Sequence, residues 1–134
     1  MGSINLPPVR AILFDLDGLL ADTEPLQKLA FEAVCRRYTS DDLTISDELH
    51  ASFVGKSDTE NARDVVERFR LDVTPERLIE ERVDIYVDIL ESAPVPAMDG
   101  VREVLDAARC AAFRLAVGSS SIRRYVEVSL RRVF

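Results

Sequence analysis

Long apolar runs are missing from this 134-residue sequence, and the longest are only the length of a β-strand. None approaches the ~20 residues that a membrane-crossing helix needs, and no secretory signal pattern opens the chain. The expected setting is therefore the cytoplasm, with no membrane partner. Positive charge is scarce: 17 Lys and Arg stand against 24 Asp and Glu, for a formal net charge of −7. A nucleic-acid partner is excluded on that balance, because such proteins carry a basic face. Only Lys28 and Lys56 are lysines; the other cations are arginines. Cysteine is equally sparse. Cys35 and Cys110 stand alone, without metal-ligand spacing, and both fall in apolar helical patterns as small core residues. His50, the one histidine, lies off the nearby apolar stripe and reads as a solvated helix residue rather than a ligand. There is no internal repeat and no low-complexity segment, so the length fits one domain.

The densest signal is Phe14-Asp15-Leu16-Asp17-Gly18-Leu19-Leu20-Ala21-Asp22-Thr23-Glu24. Val9 and Ala11-Ile12-Leu13-Phe14 lead into it as a short, fully buried strand of the parallel-sheet kind. Residues i and i+2 of a strand share a face, which starts Asp15 and Asp17 on one side before Gly18 turns the chain. Two carboxylates at a partly desolvated strand lip are costly unless partnered. A hard cation such as Mg²⁺, which binds one or two carboxylates together with a substrate phosphate, relieves that cost. Asp-x-Asp-Gly by itself also fits a plain turn, since Asp and Gly are turn formers.

The longer string Asp-Leu-Asp-Gly-Leu-Leu-Ala-Asp-Thr-Glu, directly behind a strand near the N-terminus, resembles the first motif of the haloacid dehalogenase-like hydrolases. The branch it is most similar to contains phosphoglycolate phosphatase and β-phosphoglucomutase. The resemblance implies that Asp15 is the nucleophile, forming an aspartyl-phosphate, and that Asp17 is the general acid/base. It also implies that Asp15 and the backbone carbonyl of Asp17 hold Mg²⁺. An Asp at the second position implies phosphoryl transfer rather than dehalogenation. The division of labour is chemically sound: a carboxylate nucleophile splits one hard displacement into two easier ones, and a second carboxyl moves the proton.

Phe113 to Val117 reads as a second strand, ending in Gly118-Ser119-Ser120-Ser121. The resemblance makes this the second motif, with Ser119 as its aligned residue. Ser119, Ser120 and Gly18 are the expected phosphate-binding positions, helped by the N-terminus of the next helix. Serine is also a favoured N-cap, and Ser120 or Ser121 is expected in that role.

Between the strands the pattern is helical. Glu24 to Tyr38 presents Leu26, Leu29, Ala30, Ala33 and Val34 on one face, with Asp22 or Thr23 as cap and Pro25 in the first turn. A polar loop, Thr39 to Thr44, precedes a short helix bearing Ile45, Leu49 and Phe53. Ser57-x-x-Glu60 forms a capping box for a helix to about Phe69. Thr74-Pro75 opens another, with Leu78, Ile79, Val83, Tyr86, Ile89 and Leu90 as its apolar positions. Pro94, Pro96, Asp99 and Gly100 mark a boundary, and a helix from about Val101 to Arg109 follows.

The expected fold is α/β: a partial doubly wound, Rossmann-like parallel core (1–19 and 94–134) with an inserted α-helical cap domain (20–93). In the resembled family the cap closes over the site and selects the substrate. Gly55 and Lys56 match the cap loop that reaches toward it, and Lys56 would meet a second anionic group. A surface lysine behind a helix-breaking glycine is the plainer reading of the same residues.

Only fifteen residues follow Ser119, and Ile122, Tyr125, Val126 and Leu130 make them one amphipathic helix. The family's third motif supplies a lysine and its fourth the remaining acidic metal ligands. Neither Lys28 nor Lys56 stands where that third motif would be. The expectation is a C-terminally truncated member, with a well-packed cap, an incomplete sheet and uncovered faces on the last two helices. Two functions follow: a magnesium-dependent phosphatase or phosphomutase acting on a small phosphorylated metabolite, or a catalytically incomplete fragment acting as an interaction or assembly module. The second would self-associate through its incomplete core sheet.

Overall fold

A computed structural model describes residues 9–39 and 42–134. Residues 1–8 of the expected core segment and residues 40 and 41 of the expected polar loop lie outside the described residues. The order is β1 (Ala11–Phe14), α1 (Glu24–Cys35), α2 (Asp47–Ala51), α3 (Asp58–Phe69), α4 (Pro75–Ser92), α5 (Val101–Cys110), β2 (Arg114–Val117) and α6 (Arg123–Val133). The two strands pair in parallel, Ala11 beside Arg114 through Phe14 beside Val117. Parallel neighbours joined by a long helical crossover are the defining arrangement of doubly wound α/β folds. Among the described residues no helix is long and apolar enough to cross a membrane.

Local chemistry sets the helix boundaries. Ser57 accepts from the Glu60 amide while the Glu60 carboxylate takes the Ser57 amide, which completes the capping box expected for α3. Thr74 caps α4 by accepting from the Arg77 amide, and Pro75 fills the first turn. Gly100, at φ +79°, makes the left-handed step into α5.

Two apolar clusters fill the interior, and α1 and α4 run through both. One gathers Leu16, Leu20 and Ala21 from the turn after β1, with Leu26, Tyr86, Leu90, Leu105, Tyr125 and Val128. The other gathers Phe31, Val34, Cys35, Ile45, Phe53, Ala62, Val65 and Leu78. The segment after α4 is stitched back onto the β1 turn: Asp22 N–H donates to the Pro96 carbonyl and Met98 N–H to that of Leu20.

Several expectations are corrected. β1 is not fully buried: Leu13 is 71% exposed, because the sheet has two strands and only one of its faces meets the core. α1 stops at Cys35 rather than Tyr38, where the Tyr38 amide turns back to the Cys35 carbonyl in a tightened last turn. Its buried stripe is rotated, leaving Leu29 48% exposed and burying Phe31 and Cys35, because Ile45 and Phe53 cover a second side. Ile45 and Phe53 flank α2 instead of lying within it. Cys110 is exposed, two positions past Ala108 and off the Val101, Leu105 and Ala108 stripe. The faces of α5 and α6 are covered in part rather than open: α6 packs on α4 through Tyr125 against Tyr86 and both helices join the first cluster, while Val104 and Ile122 stay exposed.

Candidate functional site

The site grows from the strand ends. With Phe14 paired to Val117, Gly118 N–H donates to the Phe14 carbonyl at 2.8 Å, so the segments after β1 and β2 leave the sheet side by side. After β1 the chain coils over Leu16, which is fully buried and whose carbonyl accepts from the amides of Leu19, Leu20 and Ala21. Gly18, at φ +72°, makes that reversal, a conformation a side chain would strain. The coil leaves Asp15 exposed at the lip, one oxygen accepting from the Leu16 amide at 2.7 Å, and Asp17 half-buried behind it.

Asp17 is the hub. Its Oδ1 accepts from the Thr23 hydroxyl at 2.6 Å; its Oδ2 accepts from Ser121 Oγ at 2.7 Å and Ser119 Oγ at 3.3 Å. The Ser121 amide in turn donates to Ser119 Oγ at 3.0 Å. Thr23 and Ser121 therefore do not cap helices. Thr23 precedes α1 and Ile122 precedes α6 without a side-chain cap, since both hydroxyls are committed to the carboxylate. Tyr86 lies beneath this group, its phenol buried, and desolvation together with the Asp17 charge pushes its pKa up.

Asp15 and Asp17 open onto a cavity of about 510 Å³. Ser120 and Ser121 share their wall; Gly55, Lys56, Asn61 and Arg82 contribute the wall built by the α2–α3 loop, α3 and α4. Of the residues singled out in the sequence, Asp15, Asp17, Ser120, Gly55 and Lys56 thus meet at one cavity. Ser119 sits behind Asp17, and Gly18 shapes the turn without lining the cavity. Lys56 Nζ pairs with Asp64 at 2.6 Å on the surface. His50 is half-buried against Phe53 rather than solvated, its Nε2 3.7 Å from Glu24, because α2 folds over the start of α1.

Sequence reasoning missed Thr23 and Ser121 as carboxylate partners, and Arg82 altogether. Arg82 does leave a trace. It occupies the i+4 row Leu78, Arg82, Tyr86, Leu90 on the buried face of α4, where an arginine is out of place unless it is used. Its guanidinium stacks 4.0 Å above the Phe31 ring.

The lip offers oxygen donors only: the Asp15 carboxylate and the Asp17 carbonyl, which accepts no backbone hydrogen bond among the described residues. That set suits a hard cation that keeps several waters. The Asp17 carboxylate is already filled by hydroxyls, so its carbonyl is the atom that fits. Among the described residues no cluster of three or more His, Cys, Asp or Glu side chains forms a complete metal cage.

Comparison with known proteins bears on family and fold. The sequence profile described as haloacid dehalogenase-like hydrolase matches residues 12–133. The chain is 29% identical over 129 residues to a phosphorylated carbohydrates phosphatase of Thermotoga maritima, covering 93% of this chain and 56% of that protein. It is 26% identical over 129 residues to the protein CbbY of Rhodobacter capsulatus, covering 94% and 57%. Among solved structures, CbbY of Rhodobacter sphaeroides in complex with phosphate superposes with a TM-score of 0.79 at 23% identity, covering 95% of this chain and 58% of that one. At that identity the match speaks to fold. The chain spans just over half the length of these relatives.

Proposed function

Because this chain belongs to the haloacid dehalogenase-like hydrolases, we propose that it carries the nucleophile-bearing part of a phosphoryl-transfer site acting on a phosphorylated carbohydrate. Residues 1–19 and 94–134 serve as the partial core in this reading, and 20–93 as the cap. The observation that carries it is the convergence of Asp15, Asp17 and the serines after β2 on one cavity, joined through Asp17 across more than a hundred residues of sequence. The substrate class is suggested by the name of the Thermotoga maritima relative.

Of the two carboxylates at the end of β1, Asp15 is exposed and not filled by hydroxyls, which suits a nucleophile. One of its oxygens attacks phosphorus, the ester P–O bond breaks, and an aspartyl-phosphate forms. With one of its hydroxyl partners turned away, a protonated Asp17 gives its proton to the leaving oxygen. As carboxylate it then takes a proton from water, whose oxygen attacks phosphorus, frees phosphate and restores Asp15. Ser119 and Ser121 orient Asp17, and Ser120 with the Gly18 turn borders the phosphoryl oxygens. Gly55 and Lys56 contact the remainder of the substrate. Mg²⁺, held by the Asp15 carboxylate and the Asp17 carbonyl, supplies charge neutralisation when bound.

A second reading has its own observation: Leu13 on the sheet is 71% exposed, and Val9 and Val104 are exposed as well. A face of that kind suits an interaction module that pairs with another copy or another chain. One experiment separates the two. Magnesium-dependent hydrolysis of a phosphorylated sugar by the purified chain, lost on chelation and reduced at least about a thousandfold by Asp15→Asn, supports the enzyme. Turnover indifferent to Asp15→Asn overturns it, and no turnover together with concentration-dependent association favours the module.

A further inference from the structure

The cavity that holds Asp15 and Asp17 has a neighbour. A second cavity, of about 490 Å³, lies between the start of α1 and α2, with Lys28, Glu32 and Asp47 on its walls. Among the described residues Glu24 and His50 alone line both cavities. These two side chains are paired, His50 Nε2 lying 3.7 Å from Glu24 Oε2, so the pair forms the partition between the cavities.

The element that carries His50 is anchored at its ends. None of the five residues of α2 is buried, whereas Ile45 before it and Phe53 after it are. Ile45 N–H donates to Glu32 Oε1 at 2.9 Å, and the Phe53 carbonyl accepts from Asn61 Nδ2 at 3.4 Å, which ties both anchors to longer helices. Between the anchors two ion pairs fasten α2 to α1: Lys28 with Asp47 at 2.5 Å, and His50 with Glu24. A helix this short, with so little buried, has low local stability, and such pairs weigh heavily in where it rests.

The two pairs differ in kind. The hydrogen bond between Lys28 and Asp47 raises the lysine's pKa and lowers the carboxylate's, so that pair stays charged through the neutral range. Histidine is the side chain whose charge ordinarily changes between about pH 5 and 8. Its surroundings set the direction of the effect. On the side cavity Asp47 of its own helix and Glu24 and Glu32 of α1 face Lys28. On the main cavity Asp15 and Asp17 after β1 and Asp58 of α3 face Lys56 of the α2–α3 loop and Arg82 of α4. Carboxylates outnumber cations on both sides, so a charged ring is drawn to the partition and a neutral ring is not.

We propose that His50 and Glu24 form a protonation-operated latch: with His50 charged, α2 rests on α1 and the cavities are separate; with His50 neutral, α2 lifts between its anchors and the cavities join. Lys28 and Asp47 keep the movement local, since they hold their charges throughout. The closed state favours the charged ring, so closure is fully present at low pH and weakens as the ring loses its proton. The latch stands whatever reaction Asp15 performs, and its test uses no ligand.

His50 is the one histidine of the chain, so its ring resonances report its titration without ambiguity. Amide protection factors at His50, Ser52 and Phe53, whose N–H groups bond within α2 and its last turn, report the lifting of the helix. Between pH 5.5 and 8 they should fall about fivefold, with the midpoint of the His50 titration, while those of α4 stay constant. His50→Gln and Glu24→Gln should each show the lower protection at both pH values. Protection in the wild-type chain that ignores the His50 titration overturns the proposal. So does a fall that persists in His50→Gln, or one shared equally by α4.

Discussion

Asp17 organises the site more than Asp15 does. Hydroxyls from Thr23, Ser119 and Ser121 converge on its two oxygens, so a single carboxylate ties the turn after β1 to the segment after β2. Elsewhere the sparse side chains are quiet. Cys35 is buried in the second cluster, and desolvation, with the Glu32 charge adding to it and Arg82 opposing it, pushes its thiol up to about 12. Cys110 is exposed at the end of α5. Iodoacetamide at about pH 8 should therefore label Cys110 alone in the native chain and both cysteines in denaturant, as counted by mass spectrometry. The folded state holds the Cys35 proton more tightly than the unfolded one. The stability this contributes is complete below about 9 and is lost as pH rises through about 12. Urea midpoints should fall over that window, and less steeply in Cys35→Ala. At this scale the meeting of Asp15 and Asp17 at one cavity was legible in the motif; strand parity does not explain it, because β1 ends at Phe14 and both residues lie in the coil beyond. Thr23 and Ser121 were not, because a hydroxyl before a helix looks the same whether it caps the helix or serves a carboxylate.

Helices were the most readable elements. The capping box of α3 and the Thr74-Pro75 start of α4 stand where side-chain chemistry puts them. The strands were readable in place but not in burial, since a four-residue apolar run says nothing about how many neighbours its sheet will have. The stripe of α1 was misplaced because the helix is covered from two sides, which a one-face periodicity cannot represent. Because α4 passes through both clusters, its start is felt across the molecule. Thr74→Ala removes the acceptor for the Arg77 amide and should cost about 1 kcal/mol in urea unfolding. Thr74 lies outside the cavity, so affinity for phosphate should be unchanged.

For the molecule as a whole, helical residues between the strands supply one wall of the cavity and the strand ends supply the other. The α/β class and the family were legible from the first eleven residues of the motif and their place behind a strand. Coverage of α5 and α6 was not. It depends on α6 packing along α4, a contact between segments some forty residues apart that leaves no local pattern. In the proposed reaction the lip of β1 takes a phosphoryl group on Asp15 with a cation beside it. Calorimetric titration with beryllofluoride, with and without Mg²⁺, tests this most directly in the wild-type chain and in Asp15→Asn. Saturable, magnesium-dependent binding that the substitution abolishes is expected; no binding to the wild-type chain, or binding that the substitution leaves intact, refutes that role for Asp15.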